Sequence, residues 1–159
     1  MPGTVTNFLY SLAKVLCTQA SLTFVPAPTA SSKTPLFVGV ADERYGTDPM
    51  SVLADYTAPG QAFVQAQKIS VQLSTVGRNR DAVRNRAWAI FAGFLAGNQP
   101  MRETTIAGIA ADGSDDGHWH IIGADPVQSG PGFLSNAADD GGRWQATFNV
   151  DIEFYRMAS

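Results

Sequence analysis

The stretch Arg143-Trp-Gln-Ala-Thr-Phe-Asn-Val-Asp-Ile-Glu-Phe-Tyr-Arg156 decides the fold. Trp144, Ala146, Phe148, Val150, Ile152 and Phe154 alternate without a slip against Gln145, Thr147, Asn149, Asp151, Glu153 and Tyr155. Successive side chains on a strand point to opposite faces, so the pattern predicts a long strand with one face buried and one wet. Lys68-Ile-Ser-Val-Gln-Leu-Ser-Thr-Val-Gly77 carries the same period, with Ile69, Val71 and Leu73 set against Ser70, Gln72 and Ser74. After a turn at Gly77 the period changes. Asn79 is a candidate N-cap, and Val83, Ala87, Ile90, Phe91 and Phe94 recur at helical spacing. A helix is therefore expected over 81–97, stopped by Gly97-Asn98 and Pro100.

Outward from this strand–helix passage the signals weaken. Val5, Phe8, Leu9, Leu12, Val15 and Leu16 predict a first amphipathic helix, capped by Thr4 or Thr6 and ending near Gln19. A proline-punctuated connector fills 21–35, and 36–40 reads as a short buried strand. The segment 42–48 is polar and turn-rich, and 52–56 is a second short strand before Pro59-Gly60, so a long irregular loop or flap is expected around 41–60. Residues 104–110 and 118–122 read as a hairpin about a turn at 112–117, and 139–142 as a turn before the last strand. This order predicts an α+β fold: two helices packed on one face of a largely antiparallel sheet, in a single domain over 1–159.

Composition narrows the function classes. The 159 residues hold 11 Lys and Arg against 14 Asp and Glu, a net charge of -3, which argues against binding nucleic acid mainly by backbone neutralisation. An apolar content of 45% excludes general disorder, and a lone cysteine, Cys17, excludes a disulfide framework or a CxxC metal site. No apolar run is long enough to span a bilayer as a helix, and 5–16 lacks the basic start of a signal peptide. Charged residues are only 16%, against about 25% in ordinary domains. The deficit falls on lysine (Lys14, Lys33, Lys68) and glutamate (Glu43, Glu103, Glu153), while arginine stands at eight positions. Interfaces between proteins are depleted in Lys and Glu and tolerate Arg, so a surface covered by neighbours has this composition; so does a chain from a GC-rich coding background.

The residue types that carry chemistry are sparse. Asp112, Ser114 and Asp116 with Gly117 have the start of a calcium loop, but position twelve is Gly123 rather than a bidentate glutamate, and a polar hairpin turn is the commoner explanation. His118 and His120 flank Trp119 and would share a strand face, half a zinc site that Asp115 or Asp116 could extend. Cys17 lies among apolar neighbours, as an inert core thiol would. No serine sits in a GxSxG elbow, and Gly130-Pro-Gly132 lacks the third glycine of a dinucleotide loop. No catalytic, cofactor or metal residue is assigned.

Arg78, Arg80, Arg84 and Arg86 are half of all the arginines, gathered at a helix start where positive charge is unfavourable. Carboxylates of a neighbouring subunit would relieve them; so would solvated heads over packed alkyl stems. With Asp42, Glu43, Arg44 and Tyr45 of the polar segment they form the candidate interface.

Taken together, Asn7-Phe-Leu-Tyr-Ser-Leu-Ala-Lys-Val-Leu16, Leu36-Phe-Val-Gly-Val40, the Lys68–Gly77 strand running into an Ala-rich helix, and the closing alternating strand resemble the tail-terminator, minor-capsid family of long-tailed bacteriophages. The segments 42–50 and 112–117 match nothing in that resemblance. It implies a non-enzymatic virion protein without cofactors. Such a protein assembles in the host cytoplasm as a ring, commonly a hexamer, on the finished end of the tail tube. Its partners would be further copies of itself, the tail tube protein and the head–tail connector, with DNA passing through unread. A head–tail joining or stopper protein is the alternative within the virion. A metal- or small-ligand-binding protein using His118 and His120 is the alternative outside it.

Overall fold

Thr4 opens the first helix. Its backbone is extended (φ -80°, ψ 157°) and its side chain accepts a hydrogen bond from the Asn7 N–H, satisfying a donor that the helix itself cannot. Helix α1 (Val5–Gln19) buries Phe8, Leu9, Leu12, Ala13, Leu16 and Cys17. In this computed structural model, residues 4–55, 66–96, 99–135 and 142–157 are described. The chain continues through β1 (Thr34–Val38), a 3-10 turn at Glu43–Tyr45, β2 (Gly46–Asp55) and β3 (Ala66–Gly77). Helix α2 (Arg80–Ala92) follows, then β4 (Leu95–Ala96), β5 (Gln99–Ile109), β6 (Asp115–Pro126), β7 (Gly132–Ser135) and β8 (Trp144–Arg156).

The fold is α+β: two helices and one mixed sheet in the order β1-β2-β3-β8-β6-β5-β4, with β7 added on β8. The alternating stretch that opened the sequence analysis is the central strand. β8 pairs along its length with β3, from Gly77↔Trp144 to Ala66↔Tyr155. Its other edge is shared by β6 at one end and β7 at the other. The sheet is not wholly antiparallel, because β1 and β2 run parallel, with Leu36 beside Ser51 and Val38 beside Leu53.

The core lies where the rings of α1 and α2 meet β8. Phe8 stacks on Phe154 with centroids 3.7 Å apart and stands edge-on to Trp119 at 5.4 Å, while Phe91 and Phe94 meet Phe148 edge-on at 5.0 and 6.0 Å. Each fully buried phenylalanine contributes roughly 1.5–3 kcal/mol by leaving water, and edge-to-face pairs add to this. Ser11 ties α1 to β5: its buried hydroxyl donates to the Asn7 carbonyl and accepts from the Ile109 N–H at 2.8 Å.

Several expectations are corrected. Half of the supposed loop around 41–60 is β2, whose inward set is Pro49, Ser51 and Leu53, too polar to give an apolar alternation. Ser51 is accommodated by a 2.8 Å hydrogen bond with the Thr75 hydroxyl. α2 stops at Ala92 rather than Gly97, and Leu95–Ala96 turns back against β5. At Gly93 a Cβ would come within 2.9 Å of Leu16, so the residue that ends α2 is also the one that lets it approach α1. The hairpin strands are longer than 104–110 and 118–122, and the loop expected before β8 contains β7. The strand end at Tyr56, Pro59-Gly60, the Gly97-Asn98 stop and the turn residues 139–141 lie outside the described residues.

Candidate functional site

The polar segment 42–45 makes a self-supporting corner. Asp42 caps the 3-10 turn through the Arg44 N–H, and Arg44 Nε and Nη2 donate to its two carboxylate oxygens at 3.0 and 2.7 Å. That pairing holds the Asp42 carboxyl below the usual carboxylate range and pushes the Arg44 guanidinium further toward its charged form. The same guanidinium lies 5.0 Å from the Tyr45 ring. Glu43 reaches across 100 positions of sequence to Arg143, which grips both its oxygens, Nη2 to Oε2 at 2.8 Å. Arg143, with a smaller contribution from Arg78, holds the Glu43 carboxyl low. Glu43, Asp48, Arg78 and Arg143 thereby line a cleft of about 160 Å³ where β2 and β3 meet the start of β8.

The four arginines at the start of α2 do not act as one patch. The Arg78 N–H donates to Asp48 Oδ1 at 3.3 Å. The Arg80 guanidinium lies over Phe133 at 4.6 Å and Trp144 at 5.6 Å, a double cation–π contact. Arg84 pairs with Asp81 one turn away at 3.1 Å, both exposed, a contact worth little in water. Arg86 turns inward and donates to the Pro49 carbonyl at 3.0 Å, and burial lowers its hold on the proton. Within the chain these arginines meet aromatic rings, a backbone carbonyl and Asp81, and Arg84 is exposed beside that carboxylate.

Two of the aromatic side chains near these arginines, Phe133 and Trp144, could not be found from local sequence. Phe133 and Trp144 come from β7 and β8, and Trp88 lies one turn beyond Arg84, edge-on to Phe91 and directly over Gly130. Any Cβ at Gly130 would collide with the Trp88 ring. The approach of Trp88 to Gly130 needs the fold to be seen.

The other candidates are spent on local structure. Asp112 Oδ1 accepts from both the N–H and the hydroxyl of Ser114, at 2.9 and 2.6 Å, and these bonds lower its pKa. Asp115 accepts from the Gly117 N–H at 2.7 Å, and Asp116 is buried with Arg156 Nη2 at 3.8 Å. His120 uses both ring nitrogens within the sheet, Nδ1 with the Thr105 hydroxyl at 3.1 Å and Nε2 with Glu103 at 2.8 Å. His118 is exposed on the same strand. Among the described residues no three His, Cys, Asp or Glu side chains stand close enough to hold a metal ion. Cys17 is fully buried, and burial pushes its thiol up to about 12.

No known protein family matches this chain, and no curated protein matches it either.

Proposed function

We propose that this chain is a structural subunit of a long-tailed phage virion: a tail terminator that assembles as a ring on the finished tail tube, stops its growth and offers a surface to the head connector. The observation that carries this reading is the passage from β3 into α2. A twelve-residue strand of alternating pattern leads, through Arg78-Asn79 alone, into a helix of Ala-rich composition. That passage is the section of sequence on which the likeness to tail terminators chiefly rests.

Two further features support it. Phe154 and Phe148, which receive the rings of α1 and α2, are both even-numbered positions of β8, so in this proposal both helices cover one face and leave the other open. The other face of β3 and β8 is polar, pairing Gln72 with Asn149 and Ser74 with Thr147, and carries charge toward one end, where Ser70 pairs with Asp151 and Lys68 with Glu153. A protein that acts by contact needs such surfaces and no catalytic group.

The test is to add the purified protein to tail-tube subunits of the same virion as they polymerise, and to measure tube length by negative-stain microscopy. A terminator shortens the tubes and decorates one end. Tubes of unchanged length with bare ends would contradict the proposal, and binding to the portal side instead would assign the chain to head–tail joining.

A further inference from the structure

Glu103 stands within β5 with φ +47°, a left-handed backbone that residues with a side chain rarely adopt. The register places it opposite Ile122, between the pairs Arg102↔Gly123 and Thr104↔Ile121, and β6 slips by one residue against β8 at the same level. Such a backbone is strained and persists only where its surroundings hold it. Here the holder is His120. Glu103 Oε2 lies 2.8 Å from its Nε2, the Thr105 hydroxyl 3.1 Å from its Nδ1, and the Tyr155 ring 5.1 Å from the imidazole. With its side chain only 15% exposed, His120 is a fixed anchor, and the Glu103 carboxylate reaches out to it.

The kink lies on a strand edge. Among the described residues β5 pairs with β6 on one side and, on the other, only with β4 at Gln99 and Pro100. The Met101 N–H turns away from β6 to the Phe94 carbonyl at 2.7 Å, so in an unbroken strand the backbones of Glu103, Thr105 and Ala107 would face the same way. All three residues are exposed. A straight edge of that length is a template for a strand of another chain. We infer that the left-handed turn at Glu103, clasped by His120, is a guard that keeps the β5 edge from pairing with the β5 edge of a second copy. The turn swings one link of the would-be ladder out of line. It also leaves two charged residues at the edge, Glu103 and Arg102, with Arg102 drawn across Gly123 to Asp125 at 2.6 Å. The guard is independent of the virion reading: it concerns the edge that stays single, whichever surface builds a ring.

The experiment compares wild type with Glu103→Gly, Glu103→Val and His120→Ala, by light scattering over a range of concentration and by urea unfolding followed with circular dichroism. Glycine keeps the left-handed backbone without strain, whereas a β-branched valine drives the strand straight. Expected are the wild-type mass for Glu103→Gly and, for Glu103→Val and His120→Ala, a mass that rises with concentration above that of wild type. The urea midpoint of Glu103→Gly is expected above that of Glu103→Val, the reverse of the order in an ordinary strand. Folded Glu103→Val and His120→Ala that both keep the wild-type mass overturn the inference. So does Glu103→Gly associating as strongly as Glu103→Val, which would make the lost charge the guard rather than the backbone. If Glu103→Val does not fold, His120→Ala decides alone, because it removes the clasp and leaves β5 itself unaltered.

Discussion

Burial decides the chemistry of Cys17. With its thiol held up to about 12, against 9.0 for an exposed one, the native chain keeps a proton that the unfolded chain sheds in mild alkali. The unfolded state then binds fewer protons than the native state, so stability is unaffected below the ordinary thiol value and falls as pH rises from there toward the native one. Urea unfolding between about pH 8 and pH 11 should therefore show wild type losing more stability than Cys17→Ala, and parallel losses would refute the assignment. Thiol reagents should modify Cys17 only as the chain unfolds. The inertness of this residue was legible from its apolar neighbours at helical spacing. The long-range partners of the arginines were not. Arg80 finds Phe133 and Trp144, and Glu43 finds Arg143, across separations that no local window spans.

At the scale of elements, a segment was legible when its two faces differ in polarity. β8 and β3 qualify because nearly every inward residue is apolar and nearly every outward one polar, and α1 because its buried stripe keeps a helical period. β2 turns Ser51 and Pro49 inward and derives its place from backbone pairing with β3, so only its last part, 52–55, shows in the pattern. The apolar run of α2 continues through Phe94 and Leu95, yet the helix stops at Ala92, and Gly93 just after it lies close against Leu16 and Gln19 of α1. The parallel pairing of β1 with β2 has no local signature at all. The start of α2 offers the clearest test of a residue read correctly. Asn79 Oδ1 accepts from the Ala82 N–H at 2.9 Å, and Asn79→Ala should cost about 1 kcal/mol in denaturant unfolding, where a change under a few tenths would mean water replaces the cap.

On the scale of the whole molecule, β3 and β8 set the two ends apart. α2 and the 42–48 corner gather where Gly77 meets Trp144, and the acidic β5–β6 turn lies past the opposite end, beyond the pairing of Trp119 with Arg156. The first end carries Arg78, Arg80, Arg84, Arg86 and Arg143 together with Asp42, Glu43, Asp48 and Asp81, and the second carries Asp112, Asp115 and Asp116 with Arg156. In the function proposed above, copies associate end to unlike end, with a ring as the closed form of that association. The most direct test is negative-stain imaging of the purified wild-type protein, with class averages sorted by symmetry. The account predicts closed rings with a central hole wide enough for duplex DNA. Fields of single particles without a hole, at concentrations where light scattering reports only the single chain, would contradict it.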